Sequence, residues 1–516
     1  MARTFLHASR QAGTFGPRLT AITTMLLTTW LSACTTVGSD YHPPQVTTPS
    51  QWSEARGEFT AADRERLRTW WRAFNDPMLD RLVDQALASN QDLGIAQARL
   101  QQAYAERIQI ASGLGPTVST GGIAQVLRSS KTLDWPPGVG QSRTLRAGFD
   151  ASWELDLFGG TRRAVEAADA GIDALTDDHH ALQVSLLAEL AADYAELRTA
   201  QARLAIARDN IGNLREGEQL AERALHRGLG TSAEVAQARA EREAAEAQPP
   251  ALEAAIARLS HTIGVLAGGF PGDWRAALVE SAPMQPVVPS LPLALPSEVI
   301  RQRPDLRADE RRLAGATARI GVAEAARLPH FAIPLSFGTT ASLLHDLFSG
   351  ASLAWSAGVQ ASQTLYDGGR ARADVTAAQA GADAARLAYE RDVRLALRDV
   401  EDALTALNSE RQRRASLTAA ADDSQQALDR ATRLYRNGLS AYLPVLTAQR
   451  ATYQARDALA LSQGREVRGA IALYKALGAG WQDEPAADST GNSSPIEQHP
   501  VAETAAPLST GVGGGW

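Results

Sequence analysis

Apolar and polar residues alternate one by one along two stretches of this chain. Between Arg143 and Asp156, Leu145, Ala147, Phe149, Ala151, Trp153 and Leu155 alternate with Thr144, Arg146, Gly148, Asp150, Ser152 and Glu154. Between Leu353 and Leu365, Leu353, Trp355, Ala357, Val359 and Ala361 stand against Ser356, Gly358, Gln360, Ser362 and Thr364. A period of two predicts strands with one apolar and one polar face. Each stretch has the length, roughly 9 to 11 residues, that a tilted strand needs to cross the hydrocarbon of a bilayer. A partner precedes each, weak at Pro116 to Leu127 and clearer at His330 to Gly338, so strands are expected at about 116–127, 143–156, 330–338 and 353–365. A single such hairpin would equally suit a soluble sandwich. Four strands cannot close a barrel, and an open edge is not tolerated in lipid, so a membrane reading requires oligomerisation. Three copies of four strands would give twelve. Trp355 toward one end, and Trp153, Phe158 and Tyr366 toward the other, would suit interfacial aromatic girdles.

The rest of the chain is alanine-rich and repeats itself. A shift of 210 lays Ala167, Ala168, Ala170, Gly171 and Ala174 on Ala377, Ala378, Ala380, Gly381 and Ala384, and Gly228, Val235 and Gly268 on Gly438, Val445 and Gly478. Leu187, Leu190, Tyr194 and Leu197, with their counterparts Leu397, Val400, Leu404 and Leu407, have heptad spacing, which favours left-handed coiled-coil packing. Each half runs from a Gly-Gly pair (Gly159-Gly160, Gly368-Gly369) to a glycine turn at Gly228 or Gly438. That distance predicts helices of roughly 67 residues, about 100 Å at 1.5 Å per residue. Shorter segments return the chain: Thr231 to Gly268 and Ser440 to Gly478 after the turns, Pro77 to Ser112 and Ser297 to Arg327 before the strands. Pro249-Pro250 should interrupt its helix.

One cysteine in 516 residues, Cys34, excludes a disulfide framework and a four-ligand thiolate metal site. Arg3, Arg10 and Arg18 precede an apolar stretch from Leu19 to Leu31, the build of a secretory signal peptide rather than of a spanning helix. Leu31-Ser32-Ala33-Cys34 resembles a bacterial lipobox, which implies cleavage after residue 33 and diacylation of Cys34. Thr35 stands where an inner-membrane retention signal would have aspartate, so the resemblance points to the outer membrane. Acyl chains anchor and do not span. No later apolar run is long enough for a membrane helix.

Removing the three arginines of residues 1–33 takes the formal net charge from -7 to -10, which speaks against a nucleic-acid partner bound through an overall basic field. No cofactor or metal site is expected. His179-His180 is a tempting pair, but neighbours on a helix point about 100° apart, so two exposed histidines are expected. Gly228-Leu229-Gly230 has no lysine and no full phosphate-binding fingerprint, and a turn explains it.

Five motifs in order then carry a resemblance: "WWRAFNDPMLDRLVDQALASNQDL" (Trp70–Leu93), "SWELDLFGGTRRAVEAA" (Ser152–Ala168), "PSEVIRQRPDLRADERRL" (Pro296–Leu313), "TLYDGGRARADV" (Thr364–Val375) and "LYKALGAGW" (Leu473–Trp481). Together they resemble the TolC-like outer-membrane factors, and with the lipobox and "VGSDYHPP" (Val37–Pro44) the NodT-type efflux lipoprotein branch. The resemblance implies an α+β membrane protein: a homotrimeric 12-stranded transmembrane β-barrel, four strands per chain, continuous with a long periplasmic α-helical coiled-coil tunnel. It also implies a duct with no enzymatic role. Its partners would be a periplasmic membrane-fusion adaptor, an inner-membrane pump of the resistance-nodulation-division (RND) type and outer-membrane lipid. A type I polypeptide exit duct is the alternative on the same architecture. A lipid-anchored coiled-coil scaffold would have no use for strands of lipid-spanning length.

The expected organisation is a signal peptide (1–33), a lipid-anchored segment (34–69), a first efflux repeat (70–268), a Pro-rich equatorial connection (269–296), a second repeat (297–481) and a low-complexity, disordered tail (482–516). The two glycine turns would form the periplasmic tip. Adaptor contacts are expected at Arg227, Gly228, Ser232, Asn437, Gly438, Ser440 and Tyr442, and a gate at Leu443, Thr447 and Arg450. Relatives commonly read "YLxLLDAQR" where this chain reads "YLPVLTAQR" (Tyr442–Arg450), so Thr447 replaces the aspartate whose ring would attract cations in a narrow pore. Closure would then rest on Leu443, and the cation-attracting role would pass to Glu234.

Overall fold

The computed structural model describes residues 36–53, 66–128, 130, 141–279 and 296–481. Residues 1–33 and Cys34, most of the Pro-rich connection, and the tail 482–516 lie outside the described residues. In chain order come α1 (Pro77–Ser89), α2 (Gln91–Ser112), β1 (Thr117–Leu127), β2 (Ser142–Leu155), α3 (Gly160–His226), α4 (Ser232–Glu246), α5 (Gln248–Leu266) and α6 (Arg275–Val279). The second half supplies α7 (Pro296–Gln302), α8 (Pro304–Ala325), β3 (His330–Ala341), β4 (Leu353–Ala357), β5 (Gln360–Ser362), α9 (Arg370–Arg436) and α10 (Leu443–Ala476). None of the described helices is long and apolar enough to cross a membrane.

The long helices α3 and α9 are each 67 residues, and both stop at the same device. Gly228 and Gly438 take left-handed backbone, φ 73° and 72°, which glycine adopts without a Cβ penalty. Their N–H groups donate to Leu225 O and Tyr435 O at 2.9 Å, and the next residues, Leu229 and Leu439, donate to Ala224 O and Leu434 O at 2.9 Å. These paired bonds form a Schellman cap, which satisfies carbonyls that a helix end would leave open. Gly268 and Gly478 end α5 and α10 in the same way.

The return after the first turn breaks between α4 and α5, where Pro249 and Pro250 stand in the first turn of α5 and its missing N–H groups cost no helical bond. The chain before the strands breaks as well. Asn90 separates α1 from α2, and its side chain accepts from Asp92 N and Leu93 N at 2.9 and 3.2 Å.

The core lies midway along the long helices. Leu187, Leu190, Tyr194 and Leu197 are fully buried there with Trp70, Leu79, Leu82, Val400, Leu407, Ile471 and Tyr474. Leu397, the first member of the second seam, is only half-buried. Each fully buried leucine contributes about 1.5–3 kcal/mol relative to exposure. Trp70 stacks on Tyr474 with ring centroids 5.1 Å apart, joining the first motif to the last. Asp76 caps α1 through Met78 N at 2.9 Å and accepts from the Tyr194 hydroxyl at 2.7 Å. Arg198 donates to that hydroxyl at 3.0 Å, which completes the contact between motif and helix.

The sheet runs β1-β2-β3-β4, all antiparallel, with β5 also on β3. The expected fourth strand, 353–365, is shorter and broken: β4 and β5 flank Gly358 and Val359, and opposite Pro334 only half of the ladder pair forms, Gly358 N donating to Pro334 O at 3.1 Å. Pro334 has no N–H to offer at that level, so the ladder is interrupted beside it.

Candidate functional site

The sheet has two chemically distinct faces, and neither is a protein core. On one, Phe149, Phe337 and Trp355 fall in register across three strands and are 58%, 55% and 74% exposed. Ala151, Leu335 and Ala357 form the next row. A contiguous exposed apolar surface of this kind marks an interaction site. On the other face Asp150, Ser336 and Ser356 share a row, and Arg146 donates to Asp150 at 2.9 Å and to Ser336 at 2.6 Å. Gly148 and Gly338 sit opposite each other on this polar side, where a Cβ on either would strike the neighbouring backbone, at 2.7 Å from Phe337 O in the case of Gly148.

The expected girdle needs correction. Trp355 lies mid-strand, level with Phe149, which is four residues from Trp153. At about 3.3 Å per residue the two levels are about 13 Å apart, well short of an apolar band about 25 Å tall. Trp153 instead donates to Leu114 O at 2.9 Å at the helical end of the sheet. Phe158 beside it is half-buried, and Tyr366, 89% exposed, follows β5. Trp153, Phe158 and Tyr366 therefore remain together near the helices, and Trp355 leaves that scheme.

The residues just after Cys34 are fixed to the base of the same sheet. Thr36 packs on Gly159, and Val37 N donates to Phe158 O at 3.0 Å. The buried Arg163 guanidinium donates to Val37 O and Gly38 O at 3.0 Å each, and pairs with Asp40 at 2.8 Å and Glu166 at 2.7 Å. This clamp was not foreseen; its only sequence signal is an arginine three residues after the helix-opening glycine.

At the opposite end of α3 and α9 the two glycine turns project. Arg227, Gly228, Asn437 and Gly438 are exposed, as is Ser232 at the start of α4, while Ser440 is half-buried. Tyr442 is not available as a contact: it is 1% exposed, packed 5.1 Å from Tyr435 in a small core with Leu214, Val445 and Leu446. Burial, then Tyr435 and Glu218, pushes its hydroxyl up to about 12. Among the described residues that hydroxyl has no hydrogen-bond partner, and it lies against Gly217. Gly217 falls between Leu214 and Ala221 on the buried face of α3, a helical spacing legible in the sequence.

The gate residues separate into different roles. Leu443 opens α10 and is 56% exposed. Thr447 turns its hydroxyl inward on its own helix, donating to Leu443 O at 3.0 Å. Arg450 forms an ion pair with Glu241 of α4, a partner that the motif did not indicate. Glu234 also caps its own helix: its carboxylate accepts from Thr231 N at 2.9 Å, and Glu234 N donates back to Thr231 Oγ1 at 3.3 Å in a capping box. The corresponding start of α10, after Tyr442, has no side-chain cap. Between α3, α9 and α10 lies a cavity of about 450 Å³ lined by Asn213, Gly217, Arg433, Tyr435, Tyr442 and Gln449 among others.

The histidine pair is not exposed as expected. His179 and His180 are half-buried, and His180 stacks on Trp481 at 4.6 Å. Arg307 lies over the same Trp481 ring at 4.9 Å, a packing role that ties the end of α10 to α3 and α8. No group of three or more metal-ligating side chains occurs among the described residues.

A family model described as outer membrane efflux protein matches residues 82–269 and again 295–479. The chain is 32% identical to the pyoverdine export outer membrane protein OpmQ of Pseudomonas putida over 445 residues, covering 85% of this chain and 93% of that one. It is 29% identical to nodulation protein T of Rhizobium leguminosarum bv. trifolii, covering 90% and 98%. Among solved structures, the outer-membrane channel OprN superposes with a TM-score of 0.79 at 36% identity, covering 87% of this chain and all of that one.

Proposed function

Because the chain belongs to the outer membrane efflux protein family, and is by that membership an outer-membrane efflux channel, we propose that it works as a homotrimeric exit duct anchored by an acylated Cys34. The observation that carries this reading is the sheet: one face apolar and exposed, the other polar, with unpaired edges at β1 and β4. Backbone groups at such edges are intolerable in lipid unless the sheet closes, and one chain cannot close it. Three copies supply twelve strands, with Phe149, Phe337 and Trp355 toward lipid and Asp150, Arg146 and Ser336 toward water. The helices would continue the wall through the periplasm to a tip at Gly228 and Gly438. There Arg227, Ser232, Asn437 and Ser440 would meet a periplasmic adaptor fed by an inner-membrane RND-type pump. The names of OpmQ and of the cation efflux protein CusC support export of small solutes over polypeptides.

Mechanistically the duct needs no catalytic group, because the pump supplies the work. Its own residues must hold the tip closed at rest and yield under the adaptor. Leu443, exposed at the uncapped start of α10, is the side chain placed to occlude, and Arg450 braces α10 against α4 through Glu241.

The decisive experiment is native mass spectrometry of protein extracted from outer membranes in mild detergent. A trimer whose Cys34 carries acyl chains is expected; an unmodified monomer sinks the reading. In planar bilayers Leu443→Ala should raise the resting conductance, and an unchanged conductance removes Leu443 from the gate.

A further inference from the structure

The two halves of the tip differ in charge. From Arg430 to Arg456 the second hairpin carries five arginines and not one carboxylate, in a chain of net charge -7. Its counterpart in the first repeat, residues 220–246, carries five glutamates and four arginines. Most of those first-hairpin charges have partners: Arg239 and Arg242 pair with Glu218, just outside that span, at 2.9 and 2.7 Å, Arg242 also with Glu246 at 2.8 Å, Glu241 with Arg450, and Glu234 caps its own helix.

The second hairpin is different. Arg450 is taken up by Glu241 and Arg456 donates to Gln425 at 2.8 Å. Arg430, Arg433 and Arg436 are exposed, and among the described residues no carboxylate lies within ion-pair distance of them. Arg433 and Arg436 also line the cavity between α3, α9 and α10, together with the buried Tyr442 and Gln449. The ordinary use of basic residues in a last helical turn is to offset the dipole, but that is worth only about half a negative charge. Counting it and the neighbouring Asp429, each second hairpin still presents more than one uncompensated positive charge. In the trimer proposed above, three such hairpins would surround one axis within a few Debye lengths, about 8 Å each at physiological salt, and a narrow mouth with low-dielectric walls would concentrate their field.

We propose that this carboxylate-free hairpin makes the periplasmic mouth attract anions, so that the duct favours small organic anions such as carboxylates and phosphates. The proposal rests on the duct reading above and adds a substrate class to it. Thr447 is consistent with it, because no acidic side chain of α10 stands nearer the tip than Asp457.

The test is the reversal potential of the reconstituted full-length protein in planar bilayers across a potassium chloride gradient, with glutamate as a second anion. Wild type should reverse on the chloride side, and more strongly as ionic strength falls. The triple variant Arg430→Glu, Arg433→Glu, Arg436→Glu should lower the chloride-to-potassium permeability ratio by at least about threefold. The milder Arg→Gln set at the same positions covers the case in which the reversed charges disturb assembly. Potassium-selective wild-type openings, or a ratio unchanged in assembled variants, overturn the inference while leaving the duct intact; the arginines would then belong to partner docking. Should the resting tip keep wild type silent, the same ratios are read in the Leu443→Ala background, and protein that gives no openings there either overturns the duct reading and the inference with it.

Discussion

Gly217→Ala and Tyr442→Phe should be harmful apart in one case only, and harmless together. A Cβ on Gly217 would overlap the Tyr442 hydroxyl, whereas the next Tyr442 atom, Cζ, stands at 3.4 Å, an ordinary contact. Overpacking of this kind costs about 1–3 kcal/mol. The hydroxyl itself is buried without a partner, so its removal relieves a penalty of about 1–3 kcal/mol rather than adding one. Tyr442→Phe alone should therefore be neutral or stabilising, and in its presence Gly217→Ala should lose its cost. The coupling should appear as about 5- to 150-fold in local opening. Hydrogen exchange at residues 214–221 and 442–449 reads that opening where it occurs, without requiring reversible unfolding of the assembly. A double variant as fast-exchanging as Gly217→Ala would refute the packing argument and show that the hydroxyl is not what fills the space at Gly217.

Further outcomes follow from the same geometry. Leu190→Ala, at a fully buried seam position, should cost about 3–5 kcal/mol, the range for cavities in packed cores, seen as a lowered melting temperature of the detergent-solubilised protein. Arg163→Ala should free residues 36–40, detected as faster exchange there, with the long helices unchanged; protected residues 36–40 would show that the guanidinium is dispensable to the strap. Thr447→Asp should shift the reversal potential toward potassium, in the same direction as charge reversal at Arg430, Arg433 and Arg436. Hydrogen bonds from Arg239 and Arg242 hold the Glu218 carboxyl below its ordinary range, and those from Arg215 and Arg242 do the same for Glu246. Their stabilisation is full above the unfolded value, about 4.3, and is lost as pH falls through the lower folded one. A spin label at Ser232 should report a loosened α4 on acidification into that window and no change above it.

The sequence by itself determined the periodic features, because they depend on local chemistry repeated along the chain. Alternation between Arg143 and Asp156, heptad spacing from Leu187, and glycines 210 residues apart each follow from backbone geometry that a single segment imposes on itself. The exact 67-residue span of α3 and α9 follows from the glycines that start and stop them. Tertiary structure decided whatever depended on who lies across the way. Tyr442 reads as a tip residue in sequence, yet packing against α3 buries it. Glu234 reads as a free carboxylate, yet its own capping box occupies it, and Arg450 finds Glu241 on another helix. Trp355 reads as a rim aromatic until the register on β3 places it level with Phe337. His180 reads as exposed until Trp481, some three hundred residues later, stacks on it. Periodicity reveals which face of an element is apolar; only the packed chain reveals which polar groups on the other face are already taken, and at the tip what is not taken is a set of three arginines.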